Sequence, residues 1–197
     1  MAARAGLTAD RVTRAAADLA DEVGFGKVTV SALARSFGVK DASLYSHVRN
    51  VQDLRARVAV LATGEQSDRI AMAVAGRSGK DALAAFANAY RQFALEHPGR
   101  YAATQIQLPP DRVAESPGHL RNIELTYGML RAYGLDEPDL TDAVRLLRST
   151  FHGFSSLESI GGFGHTRDVT ASWERTIDAL HVLLTCWPSI VEKEDRS

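Results

Sequence analysis

The chain has 197 residues, of which 45% are hydrophobic and 24% are charged, and its formal net charge at pH 7 is −1. These values are typical of a globular protein with room for one small and one medium domain, and they exclude extended disorder. No window of the sequence is apolar for long enough to form a secretory signal or a membrane span, so we expect a cytoplasmic protein. The single cysteine, Cys186, excludes an internal disulfide. We expect it to be a small buried residue, with a redox switch as the alternative.

Charged residues are unevenly distributed along the chain. The first 57 residues contain 9 lysines and arginines against 6 aspartates and glutamates, whereas the remaining residues contain 14 against 18. A mildly basic head on an acidic body is expected when only the head meets a polyanion.

Apolar residues recur at helical spacing along the whole chain, and the alternation typical of strands is missing, so we predict an all-α fold. The first helix is predicted to be capped by Thr8 and to end at Gly24. Its predicted buried face consists of Val12, Ala16, Leu19 and Val23. Beyond residue 50, the predicted helices span 51–75, 80–96, 100–107 and 119–133, with a loop over 109–118, followed by two long helices that begin near residue 139 and beyond the glycines at 161–164.

Residues 29–50 are predicted to form two short helices around a glycine turn. Thr29 is placed to cap the first helix, which buries Leu33, Ala34 and Phe37. Gly38 then ends that helix, because its end requires a left-handed residue and side chains with a Cβ resist this conformation.

The second short helix is predicted to run from Lys40 or Asp41 to Val48, with only Leu44 and Val48 facing inward. A helix this short is held rigid by its partners and fits the major groove of DNA. Its predicted outward residues are Lys40, Asp41, Ala42, Ser43, Tyr45, Ser46 and His47, and Arg49 follows at its end. The alternative is a helical hairpin whose polar face meets only water or docks another protein.

Residues 8–54 resemble the DNA-binding domain of the TetR family of transcriptional regulators. The resemblance is carried by Ala15 to Ala20, Gly24-Phe25-Gly26, Val28-Thr29-Val30, Leu33-Ala34, Phe37-Gly38-Val39 and Leu44-Tyr45-Ser46-His47-Val48, with Asn50 and Leu54. It implies a helix-turn-helix domain over residues 1–54, a helical effector-binding and dimerisation domain over residues 55–197, and a homodimer that binds operator DNA and a small organic effector. Repression is the family's usual mode.

The resemblance implies DNA contacts by Thr29, Val30 and Ser31 in addition to the second short helix. Two positions depart from the family pattern: Ser31 stands where a basic residue is frequent, and Val51 stands where a phosphate-contacting lysine is common. Contacts to phosphate then depend on Thr29, Tyr45, His47 and Arg49.

Each of the last two predicted helices carries a narrow apolar stripe suited to a helix-on-helix seam. Two such helices from each of two copies would form a four-helix bundle, and Gly153 would allow a close approach of backbones. The alternative is that both stripes are buried inside one chain. The predicted interface residues are Leu140, Val144, Leu147, Phe154, Trp173, Ile177, Leu180, Leu184 and Trp187.

Residues 151–154 also resemble the C-terminal domain of a TetR subgroup named for a Trp-His-Gly signature, with Phe151 in the place of the tryptophan. Aromatic walls with a few polar groups are typical of ligand pockets, although ordinary core packing is the alternative for each residue. The predicted pocket residues are Tyr90, Phe93, Tyr101, Gln105, Tyr127, Met129, Phe151 and His152, and Arg100 and Arg121 are candidates to pair with an acidic ligand.

An enzyme is the competing class, and the sequence offers little support for it. Residues 76–80 approach a phosphate-binding loop, but Val74 and Asp81 stand where that motif needs glycine and serine or threonine. The six histidines lack a paired metal spacing, and no Gly-x-Ser-x-Gly elbow occurs. We therefore expect no catalytic residues, no cofactor and no metal.

Overall fold

The computed structural model describes residues 7–194, of which residues 188–194 are described by their backbone alone. This part of the chain contains α-helices and two 3-10 turns, Phe25–Lys27 and Arg131–Tyr133, and no strand, so the prediction of an all-α fold is confirmed. The helices are α1 (Ala9–Val23), α2 (Val30–Phe37), α3 (Asp41–Leu44), α4 (Val51–Val74), α5 (Gly79–Glu96), α6 (Pro98–Thr104), α7 (Pro110–Ala114), α8 (Pro117–Leu130), α9 (Asp139–Ser159) and α10 (Val169–Glu194).

The chain divides into two compact units. The first contains residues 7–66 and Glu96–Leu120, and the second contains Ser67–Leu95 and residues 121–194. The change from one unit to the other falls within α4, whereas the sequence places a domain boundary after Leu54. The domain boundary after Leu54 therefore stays a prediction.

Helix α1 forms the base of the first unit. The Thr8 hydroxyl accepts a hydrogen bond from the Arg11 amide at 3.2 Å, and Gly24 ends the helix with φ of 90°. Val12 and Ala16 are fully buried as predicted. Val23 was predicted to be buried but is 39% exposed, because Ala20 takes the inward position of the last turn.

Helix α6 packs tightly on α1 within the first unit. A Cβ added at Gly99 would lie 2.0 Å from the backbone carbon and oxygen of Ala20, so only glycine permits this approach. The Arg100 side chain binds Asp21, reaches Asp18 at 2.5 Å and reaches Glu65 on α4 at 3.0 Å. Burial opposes the charge of Arg100, but its bonds to Asp18 and Asp21 outweigh this and raise its pKa. Arg100 therefore connects α1, α4 and α6. Its guanidinium group, a candidate to pair with an acidic ligand, binds carboxylates of its own chain instead.

Helix α7 corrects the prediction of a loop over residues 109–118. Pro110 begins this helix and Asp111 lies in its first turn. Proline is favoured at the first helical position because its fixed φ suits the helix and its missing amide hydrogen is not needed there. The prolines that predicted a loop thus mark the beginnings of α7 and α8.

An aromatic cluster forms the centre of the second unit. The ring of Phe151 lies 6.2 Å from Phe86, 5.8 Å from Tyr90 and 5.7 Å from Trp173, measured between centroids. The indole of Trp173 donates a hydrogen bond to the Asn88 side chain at 2.8 Å. Because Phe151 is only 1% exposed, it serves here as a core residue.

The two apolar stripes predicted for a dimer seam face the interior of the second unit. Leu140, Val144, Phe154 and Trp187 are half-buried. The buried members are Leu147, Trp173, Ile177, Leu180 and Leu184. Their own chain already covers these five residues, which is the alternative that the sequence left open.

The outward face of α10 exposes small and apolar residues instead. Val182 is 60% exposed, and Ala179 and Cys186 are also exposed. The prediction that Cys186 is buried is therefore wrong. Within the described part of the chain, no helix combines the length and apolarity needed to cross a membrane.

Candidate nucleic-acid interface

The turn between α2 and α3 has the geometry that the sequence predicts. The Thr29 hydroxyl accepts a hydrogen bond from the Ala32 amide at 3.1 Å and caps α2. Gly38 adopts the left-handed conformation with φ of 64° and ψ of 33°. The Gly38 amide donates to the Arg35 carbonyl and the Val39 amide to the Ala34 carbonyl, which closes the helix end in the Schellman pattern.

Helix α3 is anchored by two buried side chains. Leu44 is fully buried and Val48 is 2% exposed, so both inward positions are confirmed. The helix itself ends at Leu44 rather than at Val48. The chain then turns tightly, with the His47 amide donating to the Leu44 carbonyl at 2.8 Å, and this turn keeps Val48 in the core.

A polar surface on α3 and the adjoining residues is left open. We call Lys40, Ala42, Ser43 and Tyr45 the recognition face; all four are exposed, Tyr45 by 54%. The predicted contacts Thr29, Ser46 and Arg49 are exposed near it, and His47 is half-buried. Val30 is only 4% exposed, so its predicted contact with DNA is wrong, because it belongs to the core beneath α2.

Two predicted DNA contacts bind each other. The Ser31 hydroxyl donates to the Asp41 carboxylate, which joins the beginning of α2 to the first turn of α3. This bond helps to fix the angle between the two helices. The Ser46 hydroxyl donates to the Ser43 carbonyl at 2.8 Å and stabilises the turn behind the recognition face.

Asp53 holds the end of the hairpin, a role that sequence reasoning missed. Its carboxylate accepts from the Arg49 amide at 3.1 Å, from Arg57 at 3.0 Å and from Arg112 on α7 at 3.1 Å. Burial alone would raise the pKa of Asp53, but the bonds from Arg49 and Arg57 and the charges of Arg57 and Arg112 lower it. The Asn50 side chain accepts from the Asp53 amide at 2.8 Å, so the pair Asn50 and Asp53 was the readable signal of a helix start.

The residues predicted to line an effector pocket do not share one environment. Tyr90, Phe93, Met129 and Phe151 are buried in the second unit, where His152 is half-buried and Tyr127 is 37% exposed. Tyr101 and Gln105 belong to α6 and its end in the first unit. Tyr90 and Phe151 touch each other's rings, which is the core packing that the sequence left as the alternative.

The described residues contain no group of three or more histidine, cysteine, aspartate or glutamate side chains placed to hold a metal ion. The recognition face offers hydrogen bonding and charge through its own side chains: an ammonium group, two kinds of hydroxyl and a methyl group on a rigid frame. Such groups match the donors, acceptors and methyl groups at base edges in the major groove.

Comparisons with known proteins agree with this surface. A family model described as "Bacterial regulatory proteins, tetR family" matches residues 12–58, and one described as "Tetracyclin repressor-like, C-terminal domain" matches residues 83–180. The uncharacterised HTH-type transcriptional regulator YobS of Bacillus subtilis is 32% identical over 172 residues, which cover 87% of this chain and 90% of YobS.

Two solved structures show the same fold. A protein of unknown function from Rhodococcus sp. RHA1 superimposes with a TM-score of 0.74 at 22% identity, over 92% of this chain and 97% of the other. The TetR family protein ActR of Streptomyces coelicolor, solved in complex with (S)-DNPA, superimposes with a TM-score of 0.67 at 21% identity, over 91% and 98%. The chain therefore belongs to the TetR family of transcriptional regulators.

Proposed function

We propose that this regulator is a repressor that binds operator DNA as a homodimer and releases it when a small organic effector binds. The observation that carries the proposal is the contrast within α3: Leu44 is fully buried, while the recognition face beside it is exposed. A polar surface on a rigidly held short helix is what insertion into a major groove requires. A DNA-binding repressor acts in the cytoplasm of a bacterium.

The recognition face and the polar residues near it divide into base-reading and phosphate-binding groups. Lys40 at the beginning of α3 suits a guanine edge, and the Ala42 methyl group suits the methyl group of thymine. Tyr45, His47, Arg49 and Thr29 suit phosphate oxygens at the rim of the groove. Ser31 and Asp41 support this surface through their mutual hydrogen bond rather than by touching DNA.

Self-association would use the outward face of α10, defined by Arg175, Ala179, Val182, Leu183 and Cys186. Together with Asp178 these residues line a shallow depression on the described surface, and the apolar ones among them form a patch that a partner helix could cover. In α9, a Cβ added at Gly153 would meet nothing within 4 Å, so this glycine leaves room for another backbone. Two copies would place their recognition faces about 34–36 Å apart, one turn of the double helix.

The effector domain would be the second unit. The motif Phe151-His152-Gly153 lies in the middle of α9, which supports a relation to the Trp-His-Gly subgroup. A bound (S)-DNPA in the structurally similar ActR supports a small-molecule effector here as well. An effector that binds more tightly to the arrangement of the dimer with low DNA affinity shifts the population toward that arrangement. Operator affinity can then fall by no more than the ratio of the effector's affinities for the two arrangements.

Selection of bound duplexes from a random DNA pool tests the proposal. We expect an enriched site with two related halves, whose binding falls steeply with salt because phosphate contacts release counterions. Tyr45→Ala and His47→Ala should each weaken binding to all sequences by about 5- to 30-fold, since phosphate contacts carry little sequence information. Thr170→Ala, an exposed change on α10, is the matched control and should bind normally. Absence of any enriched site at low salt would refute the proposal.

A further inference from the structure

A groove in the second unit is lined by a different set of residues from the pocket that the sequence predicts. It has a volume of about 590 Å³ and lies between the end of α4, the turn into α5 and helix α8. That volume is within the range of small-molecule sites. Of the aromatic and sulfur-containing residues that the sequence proposed for the pocket, only Met129 lines this groove.

The groove combines apolar walls with a positive rim. Val74, Ala82, Leu125 and Met129 line it, and of these Ala82 and Met129 are nearly fully buried. Arg77, Arg121 and Arg131 also line the groove. Glu124 is the one acidic residue in its lining.

Two of the three arginines are available to a ligand. Arg121 is paired with the Asp68 carboxylate. Within the described residues, neither Arg77 nor Arg131 has a carboxylate partner, and both side chains are exposed. A guanidinium group binds a carboxylate through two parallel hydrogen bonds, so this rim fits a small acid.

Gly128 gives an independent reason to place a ligand here. It lies in the last part of α8, where glycine is less favourable for the helix than alanine. A Cβ added there would meet nothing within 4 Å, so no neighbour in the described chain requires the glycine. The missing side chain instead leaves free space in the wall of the groove.

We propose that this groove binds an organic acid with an apolar chain, the carboxylate on Arg77 and Arg131 and the chain against Gly128 and Met129. The inference rests on the proposed function, because it names the chemical class of the effector. It also separates the ligand site from the aromatic cluster around Phe151, which is filled by its own side chains.

Calorimetric titration of the full chain with decanoate, decanol and decylamine, all below their aggregation concentrations, tests the charge preference. Decanoate should bind, decanol about 10-fold or more weakly, and decylamine weakest of all. Equal binding of decanoate and decylamine, or no binding of decanoate, would overturn the proposal.

Four variants locate the site. Arg77→Gln and Arg131→Gln should each lower decanoate affinity about 5-fold, and Glu124→Gln should raise it about 2- to 5-fold. Gly128→Leu should abolish binding while raising the melting temperature by about 2–4 °C, because leucine is the better helix former. Unchanged affinity in both arginine variants would overturn the proposal even if the leucine variant failed to fold.

The DNA response is measured separately on the selected duplex. Decanoate that binds with this variant pattern but leaves DNA affinity unchanged supports the groove and contradicts the proposed release of operator. Decanoate that does not bind overturns the groove, while binding of the duplex by the same sample still supports the regulator.

Discussion

Leu44 and Tyr45 are neighbours in the chain with opposite environments, since Leu44 is fully buried and more than half of Tyr45 is exposed. Leu44→Ala should destabilise the protein by about 2–5 kcal/mol, because it removes a buried side chain and leaves a cavity under α3. Chemical denaturation followed by circular dichroism measures this change.

Tyr45→Ala is the matched control for Leu44→Ala. It should change the free energy of unfolding by no more than about 0.5 kcal/mol, as an exposed substitution does, while it weakens DNA binding. Equal stabilities of the Leu44→Ala variant and the unmodified protein would contradict the packing described here.

Asp53 predicts a particular sensitivity to acid. Its pKa is lowered in the folded state, so its contribution to stability is present above its ordinary pKa of 3.8 and is lost as the pH falls through the lower, folded value. Asp53→Asn should cost about 2 kcal/mol at pH 7, through the weakened bonds to Arg49, Arg57 and Arg112. The difference from the unmodified protein should shrink in acid below that ordinary pKa.

Denaturation at several pH values measures this difference. Asp68→Asn is the matched control, because the Asp68 carboxylate is exposed and also pairs with an arginine. It should change stability by no more than about 1 kcal/mol. A difference between Asp53→Asn and the unmodified protein that stays constant from neutral pH to strong acid would exclude the role given to Asp53.

Some residue-scale roles were readable from the sequence because their chemistry is local. The Thr29 cap and the left-handed Gly38 depend only on neighbours within a few positions. Val30 and Cys186 were misjudged because their exposure depends on distant helices. The bond between Ser31 and Asp41 spans ten positions and was likewise not predicted, although both residues were singled out.

At the scale of elements, the contact of α6 with α1 makes the sharpest prediction. Gly99→Ala would place a methyl carbon 2.0 Å from backbone atoms of Ala20, which cannot move without displacing α1. We expect a loss of about 3 kcal/mol or more. Gly26→Ala is the control, because a Cβ there meets nothing within 4 Å, and thermal unfolding of both variants measures the difference. Similar melting temperatures for the two variants would rule out the tight contact.

Helix boundaries show where periodicity succeeds and where it fails. The long helices α5 and α9 follow the predicted spans closely, because their apolar repeats extend over many turns, and the bounds of α4 also agree with its predicted span. Helix α3 is half as long as predicted, since Val48 reaches the core through a turn and keeps the spacing of a helix without being in one. Helix α7 has too few residues for an apolar repeat, so only Pro110 and Asp111 indicate its beginning in the sequence.

At the scale of the whole molecule, the prediction concerns the proposed homodimer. Val182→Glu should convert the proposed homodimer to a folded monomer and weaken operator binding by about 100-fold or more, because one recognition face alone loses the second half-site. Sedimentation velocity measures the mass. Met72→Glu is the control, since Met72 is 76% exposed on α4 and does not line the depressions on α10. A Val182→Glu variant that remains dimeric would move the interface elsewhere.

The sequence pointed to the last two helices for self-association, and the stripes that it singled out on them face the interior of their own chain. A narrow apolar stripe meets another helix whether that helix belongs to the same chain or to a partner, and periodicity alone does not distinguish the two. The burial of Trp173 and Leu184 within one chain assigns those stripes to the interior. The outward face of α10 carries a weaker pattern of alanine, valine and cysteine, which a search for strong stripes passes over.

Site-directed cleavage of DNA tests most directly that α3 enters the major groove. An iron chelate that cleaves DNA is attached to Ser43→Cys in a Cys186→Ser background, with Thr170→Cys as the control attachment, and both proteins are bound to the selected duplex. Cleavage from position 43 within each half-site, with none from position 170, is the expected result. Cleavage from position 170 alone, or from neither position on a duplex that is fully bound, would contradict the assignment of α3 to the groove.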